Sequence, residues 1–458
     1  MAAAIFEPVN PHTGVALKDE PAVAIIQVQN EDSMLFWTID NVQGGERKLL
    51  QQKFAEWLTK KYGSLDAALK AWQGATAEGD DLAHGRAGLY IAWDMTSGAP
   101  KPGPGKAARL ADQTEFYTET MRNWQAEVVR FLRQEIGARQ LVNAGNWRTA
   151  DGLLLDDPER YSYTPTEVIG INRYYNGGLH VGANNGWAIC NGDKFSNLSV
   201  LLDPPELPVA LKQVAGHPYI IPESSWVPPL GYQSEGPFLV SVFQSLTGVD
   251  AYYWFAFGSM AEQRPLWPGV TPQWVPPASA NGYMPSVQKW VADTPELLGQ
   301  FPAAALMYRL GYVRQGQPVV HERRSLQDMW QRRVPIISAE GAYDPNRDKG
   351  EYASQSSIKQ EVSHLAFLVG PVEVTYGDDP SRSEVADLSP YVDEQAKVVR
   401  SVTGEVTWDY GRGICQLNAP KAQGVTGFLN KVGTLSLADV AIQSANDYAA
   451  VLVVSLDD

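Results

Sequence analysis

The chain has 458 residues and a formal net charge of −15, from 37 Lys and Arg against 52 Asp and Glu. That length suits two domains with full-sized cores. The acidic balance argues against nucleic acid or an anionic membrane as partner, because both call for basic patches. Two cysteines, Cys190 and Cys415, and six scattered histidines give neither a disulfide framework nor transition-metal spacing, so no cofactor is expected. No apolar run reaches the length of a membrane span. "MAAAIFEPVN" lacks the basic and apolar regions of a signal peptide. As written, the chain is expected in the cytoplasm, or secreted if the true N-terminus is missing.

In chain order, "AVAIIQVQNE" is a short buried strand that ends at Asn30 and Glu31. "ERKLLQQKFAEWLTKKYG" spaces Leu49, Leu50, Phe54, Trp57 and Leu58 as a helix stopped by Gly63. "SLDAALKAWQG" is a second helix with a Ser N-cap. Residues 75–107 are rich in Gly, Ala and Pro and form a loop. A long amphipathic helix covers 112–137.

Strands and helices then alternate. "RQLVNAGNW" is a strand ending at Asn146 and Trp147, and "TEVIGINRYYNGG" one ending at Asn172, Arg173 and Tyr174. "LPVALKQVAG" is predicted as a helix, "PYIIPESSW" as a strand ending at Glu223, "EGPFLVSVFQSLTG" as a helix and "VDAYYWFAFGS" as a strand ending near Trp254. Continuous apolar strands alternating with helices signal parallel β/α units. "TPELLGQFPAAALMYRLG" is one more predicted helix. From about residue 330, short alternating segments with Gly and Asp turns suggest an antiparallel β-sandwich. The expected domains are 1–325 and 326–458.

In a barrel of parallel β/α units, chemistry sits at the C-terminal strand ends. Glu31 and Glu223 end two such strands. Retaining glycoside hydrolysis needs two carboxyls about 5–5.5 Å apart, one to protonate the leaving oxygen and one to attack the anomeric carbon. Asn30 is placed to bond a sugar 2-hydroxyl, Tyr174 to support the nucleophile, and Trp147, Trp226 and Trp254 to stack on sugar faces. Asn172 completes the candidate set. The bland alternative is that an isolated strand-end Glu is solvated and that aromatics fill the core. The acidic stretch 377–394 has no regular calcium-ligand spacing and is a solvated loop.

These residues resemble a family. "VQNED", "IIPESSW" and "YYWFAF" are similar to the strand ends of the clan A retaining glycoside hydrolases, especially the cellulase-like and family 42 β-galactosidase-like members. "FAEWLTKKYGSLDAALKAWQG" resembles the helix after their fourth strand. The resemblance covers residues 8 to 260. It implies Glu31 as acid/base, Asn30 as its 2-hydroxyl partner, Glu223 as nucleophile, Tyr174 as the strand 6 tyrosine and Trp254 as the strand 8 platform. It also implies a partial (β/α) barrel of about five parallel strands, equivalent to strands 4 to 8. Only 21 residues precede Ala22, whereas three more β/α units need about 90. A natural truncation, a late start, or plugging by the 75–107 loop or the C-terminal region would each account for this.

The expected partners are a carbohydrate substrate and further copies of the chain. A homo-oligomer would cover the exposed strand edges, and a trimer is one closed ring that symmetry allows. The expected function is hydrolysis of β-linked glycosides of the glucan, mannan or galactoside class. The rival is a carbohydrate-binding protein that has lost turnover.

Overall fold

The computed structural model describes residues 2–175, 180–182, 188–190, 192–228, 230–257, 278–279, 282–283, 286–290, 292, 294–341, 358–430 and 432–457. Its first half is built on β1 (Ile25–Gln27), β2 (Leu141–Asn143), β3 (Ile169–Gly170), β5 (Tyr219–Ser224) and β6 (Ala251–Trp254). β1 pairs in parallel with β2, and β3 with β5 and β5 with β6 likewise. A parallel bridge between Asn143 and Val168 joins the two groups. Parallel strands following one another in chain order are what the apolar runs predict.

The helices follow local signals. α1 (Gly44–Tyr62) stops at Gly63, whose φ of 85° is open to glycine and strained for other residues. α2 (Leu65–Ala71) starts at Ser64, whose hydroxyl accepts from the Ala67 N–H at 3.1 Å. α3 (Pro104–Phe131) begins well before the predicted residue 112, because Pro104 fits the first turn, where no N–H is needed. Phe54, Leu58, Leu110 and Phe116 from these helices, with Trp72 just past the end of α2, form one core cluster.

Three predicted elements are corrected. Residues 207–216 are not a helix: they turn and then form β4 (Lys212–Val214). The reason is tertiary. Lys212 is buried with its ammonium 2.7 Å from Asp157 and 3.0 Å from Glu322, and this pairing sets the backbone where propensity does not. The 294–311 helix is broken into Pro295–Leu298 and Phe301–Arg309, since Pro302 has no N–H to give the Leu298 carbonyl. Within "HLAFLVGPVEVTYGDD", β8 (Val372–Tyr376) pairs in parallel, not antiparallel, with both β4 and β7 (Val320–Arg324). Segments on both sides of residue 325 therefore share one sheet.

A further helix, α4 (Gly152–Tyr163), carries no apolar stripe that the sequence betrays. It is buried along nearly its whole length, Asp156, Asp157, Glu159 and Arg160 included. α5 (Glu235–Thr247) is the strongly apolar helix expected between β5 and β6.

The C-terminal region is a six-stranded antiparallel sheet running from Val392 to Val454. One face joins the main core, where Trp408 meets Phe243 of α5 at 5.4 Å between ring centroids. On the other face Ile414 and Val425 pack with Leu429 and Ile442, next to the small hairpin pairing Leu435–Ser436 with Ala441–Ile442. Among the described residues no helix is long and apolar enough to cross a membrane.

Candidate active site

Backbone pairing carries past the strand ends and fixes the residues beyond them. Val28 and Gln29 donate to the carbonyls of Asn143 and Ala144 at 3.0 and 3.1 Å. Asn172 N donates to the Asn146 carbonyl at 2.7 Å, and Arg173 N to the Glu223 carbonyl at 3.2 Å. Asn30, Asn146, Asn172, Tyr174 and Glu223 thus sit on adjoining strand ends.

Glu31 has φ of +47°, a left-handed conformation that non-glycine residues seldom adopt. Asn146 holds it there: its Oδ1 accepts from Glu31 N at 2.9 Å, and its Nδ2 donates to Asn30 Oδ1 at 2.8 Å. Gln27 also donates to that Asn30 oxygen, at 3.4 Å. Backbone strain of this kind concentrates at functional sites and persists only where neighbours over-determine it.

The two carboxyls are neighbours with different surroundings. Asn172 Nδ2 donates to Glu31 Oε1 at 2.8 Å. Partial burial pushes the Glu31 carboxyl above the usual carboxylate range. The Asn172 bond opposes this, the charge and side-chain contact of Glu223 add to it, and the Arg148 guanidinium draws it back. Tyr174 gives its hydroxyl to Glu223 Oε2 at 2.8 Å. Burial first, and then the Glu223 charge, push the Tyr174 phenol up, so it stays a donor. Its ring is flanked by Trp290, edge-on at 4.8 Å, and by Phe255 at 6.3 Å.

The three predicted tryptophan platforms part company here. Trp147 is half-buried beside the site, edge-on to Phe36 at 5.1 Å and under the Arg148 guanidinium at 5.6 Å. Trp226 is fully buried, and its indole N–H donates to Glu235 Oε1 at 3.0 Å. It is a core residue and has no face to offer a sugar, which corrects the expectation. Trp254 packs between Trp226, Tyr252 and Phe301, at 5.9, 4.9 and 5.1 Å, so its ring lies in the layer between strand and helices.

No protein-family model matches the chain, and no curated protein matches it. Two solved structures are similar to it. One is a polyextremophilic β-galactosidase from the Antarctic haloarchaeon Halorubrum lacusprofundi, with a TM-score of 0.39 and 12% identity over 69% of this chain and 42% of that one. The other is a β-galactosidase from the psychrophilic Marinomonas ef1, with a TM-score of 0.41 and 14% identity over 79% of this chain and 51% of that one. The chain spans about half the length, or less, of these structures.

Sequence reasoning missed Asn146, Arg148 and Trp290. Asn146 had a usable signal, as a strand-end Asn directly preceding Trp147. Arg148 and Trp290 had none, because their roles depend on which way two loops turn. Among the described residues no group of three or more His, Cys, Asp or Glu side chains is arranged to hold a metal ion.

Proposed function

We propose that this chain is a retaining hydrolase of β-linked glycosides, with Glu31 as acid/base and Glu223 as nucleophile. One observation carries the reading: two neighbouring carboxyls are differently supported. Burial and the nearby Glu223 favour the protonated form of Glu31, while the Tyr174 hydroxyl supports negative charge on Glu223. Two carboxyls whose environments divide them into an acid and a base are the pattern glycoside hydrolysis needs. The Glu223 carboxyl acts directly on that of Glu31, which supports the short spacing of retaining enzymes over the ~6.5–9.5 Å of inverting ones.

In the first step Glu223 attacks the anomeric carbon, the glycosidic C–O bond breaks, and the Glu31 proton goes to the leaving oxygen. A glycosyl ester on Glu223 results. In the second step Glu31 takes a proton from water, whose oxygen displaces Glu223 from the anomeric carbon. Asn30 is the partner for the sugar 2-hydroxyl, Asn172 orients Glu31, and Trp147 offers the stacking face. The substrate class is the β-glucans, β-mannans and β-galactosides.

Turnover by the parent, Glu31→Gln and Glu223→Gln across those sugars tests the assignment. Glu223→Gln should abolish hydrolysis, and Glu31→Gln should depress poor leaving groups most. Variants that match the parent rate would refute it. Sugar binding without turnover by the parent would make the chain a binding protein instead.

A further inference from the structure

Glu159 lies outside the site and is buried to 1% exposure on α4, yet both its oxygens are engaged. Oε2 accepts from the Ser33 hydroxyl at 2.5 Å, and Oε1 accepts from the Tyr163 hydroxyl at 2.7 Å. Ser33 is two residues beyond Glu31. Its hydroxyl oxygen also accepts from Leu35 N at 2.9 Å and lies 3.6 Å from Met121 Sδ. The turn that carries Glu31 is therefore gripped at both ends, by Asn146 at the Glu31 amide and by Glu159 at Ser33.

The helix that bears Glu159 is itself anchored. Asp151 caps it by accepting from Leu154 N at 3.0 Å. Arg160, the next residue, donates to the carbonyls of Gly170 and Trp147, on the strand ends beside the site. A buried carboxylate given two hydroxyl donors and a neighbouring guanidinium is an expensive fixture for a loop of ordinary conformation. Here the loop is not ordinary, since Glu31 sits at a φ of +47° and needs outside constraint to stay there.

We propose that Glu159, acting through Ser33, is a positioning residue that holds the Glu31 turn in its left-handed conformation and so aims the acid at the leaving oxygen. This rests on the reading of Glu31 as the acid. Misplacing a reacting group by about 1 Å costs on the order of a hundredfold in rate. The loss should fall on substrates that need the proton.

The test compares kcat/KM for a methyl β-glycoside with kcat/KM for the matching dinitrophenyl β-glycoside, whose leaving group needs no acid. Because kcat/KM covers only the steps through formation of the glycosyl ester, the base role of Glu31 in the second step does not enter. Ser33→Ala should lower the methyl-to-dinitrophenyl ratio at least about tenfold, with KM for the methyl glycoside little changed. Ser33→Thr, which keeps the hydroxyl, should restore the ratio. An equal loss on both substrates, or none, overturns the proposal. Should Ser33→Ala not fold, Ser33→Cys fills the same space with a weak donor, and an unchanged ratio there overturns it equally. Glu31→Gln run alongside separates the two ideas. If that variant shows no preference for the activated substrate, the acid assignment has failed. If it does while the Ser33 variants match the parent, only the positioning role has failed.

Discussion

The Tyr174 hydroxyl donates to Glu223 at 2.8 Å, and this phenol is held protonated by burial and by the charge it serves. A charge-assisted hydrogen bond of this kind is worth about 1.5–3 kcal/mol. Tyr174→Phe should therefore lower kcat by about 10- to 100-fold. Steady-state kinetics on an aryl β-glycoside checks this, and a parent-like kcat would remove Tyr174 from the site.

The Glu31 carboxyl is raised above its ordinary value, mainly by burial. It is protonated, and able to act as the acid, at pH below its folded-state pKa. Activity should therefore fall as pH rises through that value. Asn172 opposes the shift by bonding the charged form, so Asn172→Ala should move the alkaline limb to higher pH. The profile of kcat/KM against pH reads both, and a limb that stays in place in Asn172→Ala would contradict the contact.

Glu235 supplies a stability prediction away from the site. Burial pushes its carboxyl up to about 7, although Ser199, Tyr448, Val200 N and Trp226 all donate to it. A group raised in this direction contributes stability that is full below its unfolded pKa and is lost as pH rises through 7. Glu235→Gln should flatten that dependence. Its amide nitrogen would face the Ser199 and Tyr448 hydroxyls, and both can turn to accept. Melting temperature from pH 4 to pH 9 is the measurement, and parallel curves for parent and variant would contradict the account.

Trp226→Phe separates core from platform. The structure predicts a loss of stability of about 1–3 kcal/mol, from a buried Glu235 oxygen deprived of its indole donor. KM should stay near the parent value. A raised KM with unchanged stability would return Trp226 to the sugar site.

The strand ends were legible because β1 and β5 are apolar runs that break into Asn–Glu and Pro–Glu, and burial forces that pattern. α4 was not legible. Its Asp156, Asp157, Glu159 and Arg160 look solvated in sequence, and partners outside the helix, Ser33, Lys212, Arg324 and the Gly170 carbonyl among them, make their burial tolerable. The tryptophans fail for a related reason. A register shift between Ile221 and Ser224 disturbs the alternation along β5, so counting residues does not tell which side Trp226 takes. β4 is the same lesson in reverse, a helical pattern overridden by an ion pair.

The central claim, that Glu223 attacks the sugar, is tested most directly by trapping. The parent is incubated with dinitrophenyl 2-deoxy-2-fluoro β-glycosides of galactose, glucose and mannose, and the intact mass is followed by peptide mapping. The account predicts one fluoroglycosyl group on Glu223, absent from Glu223→Gln. Turnover with no adduct, or an adduct on another residue, would contradict it.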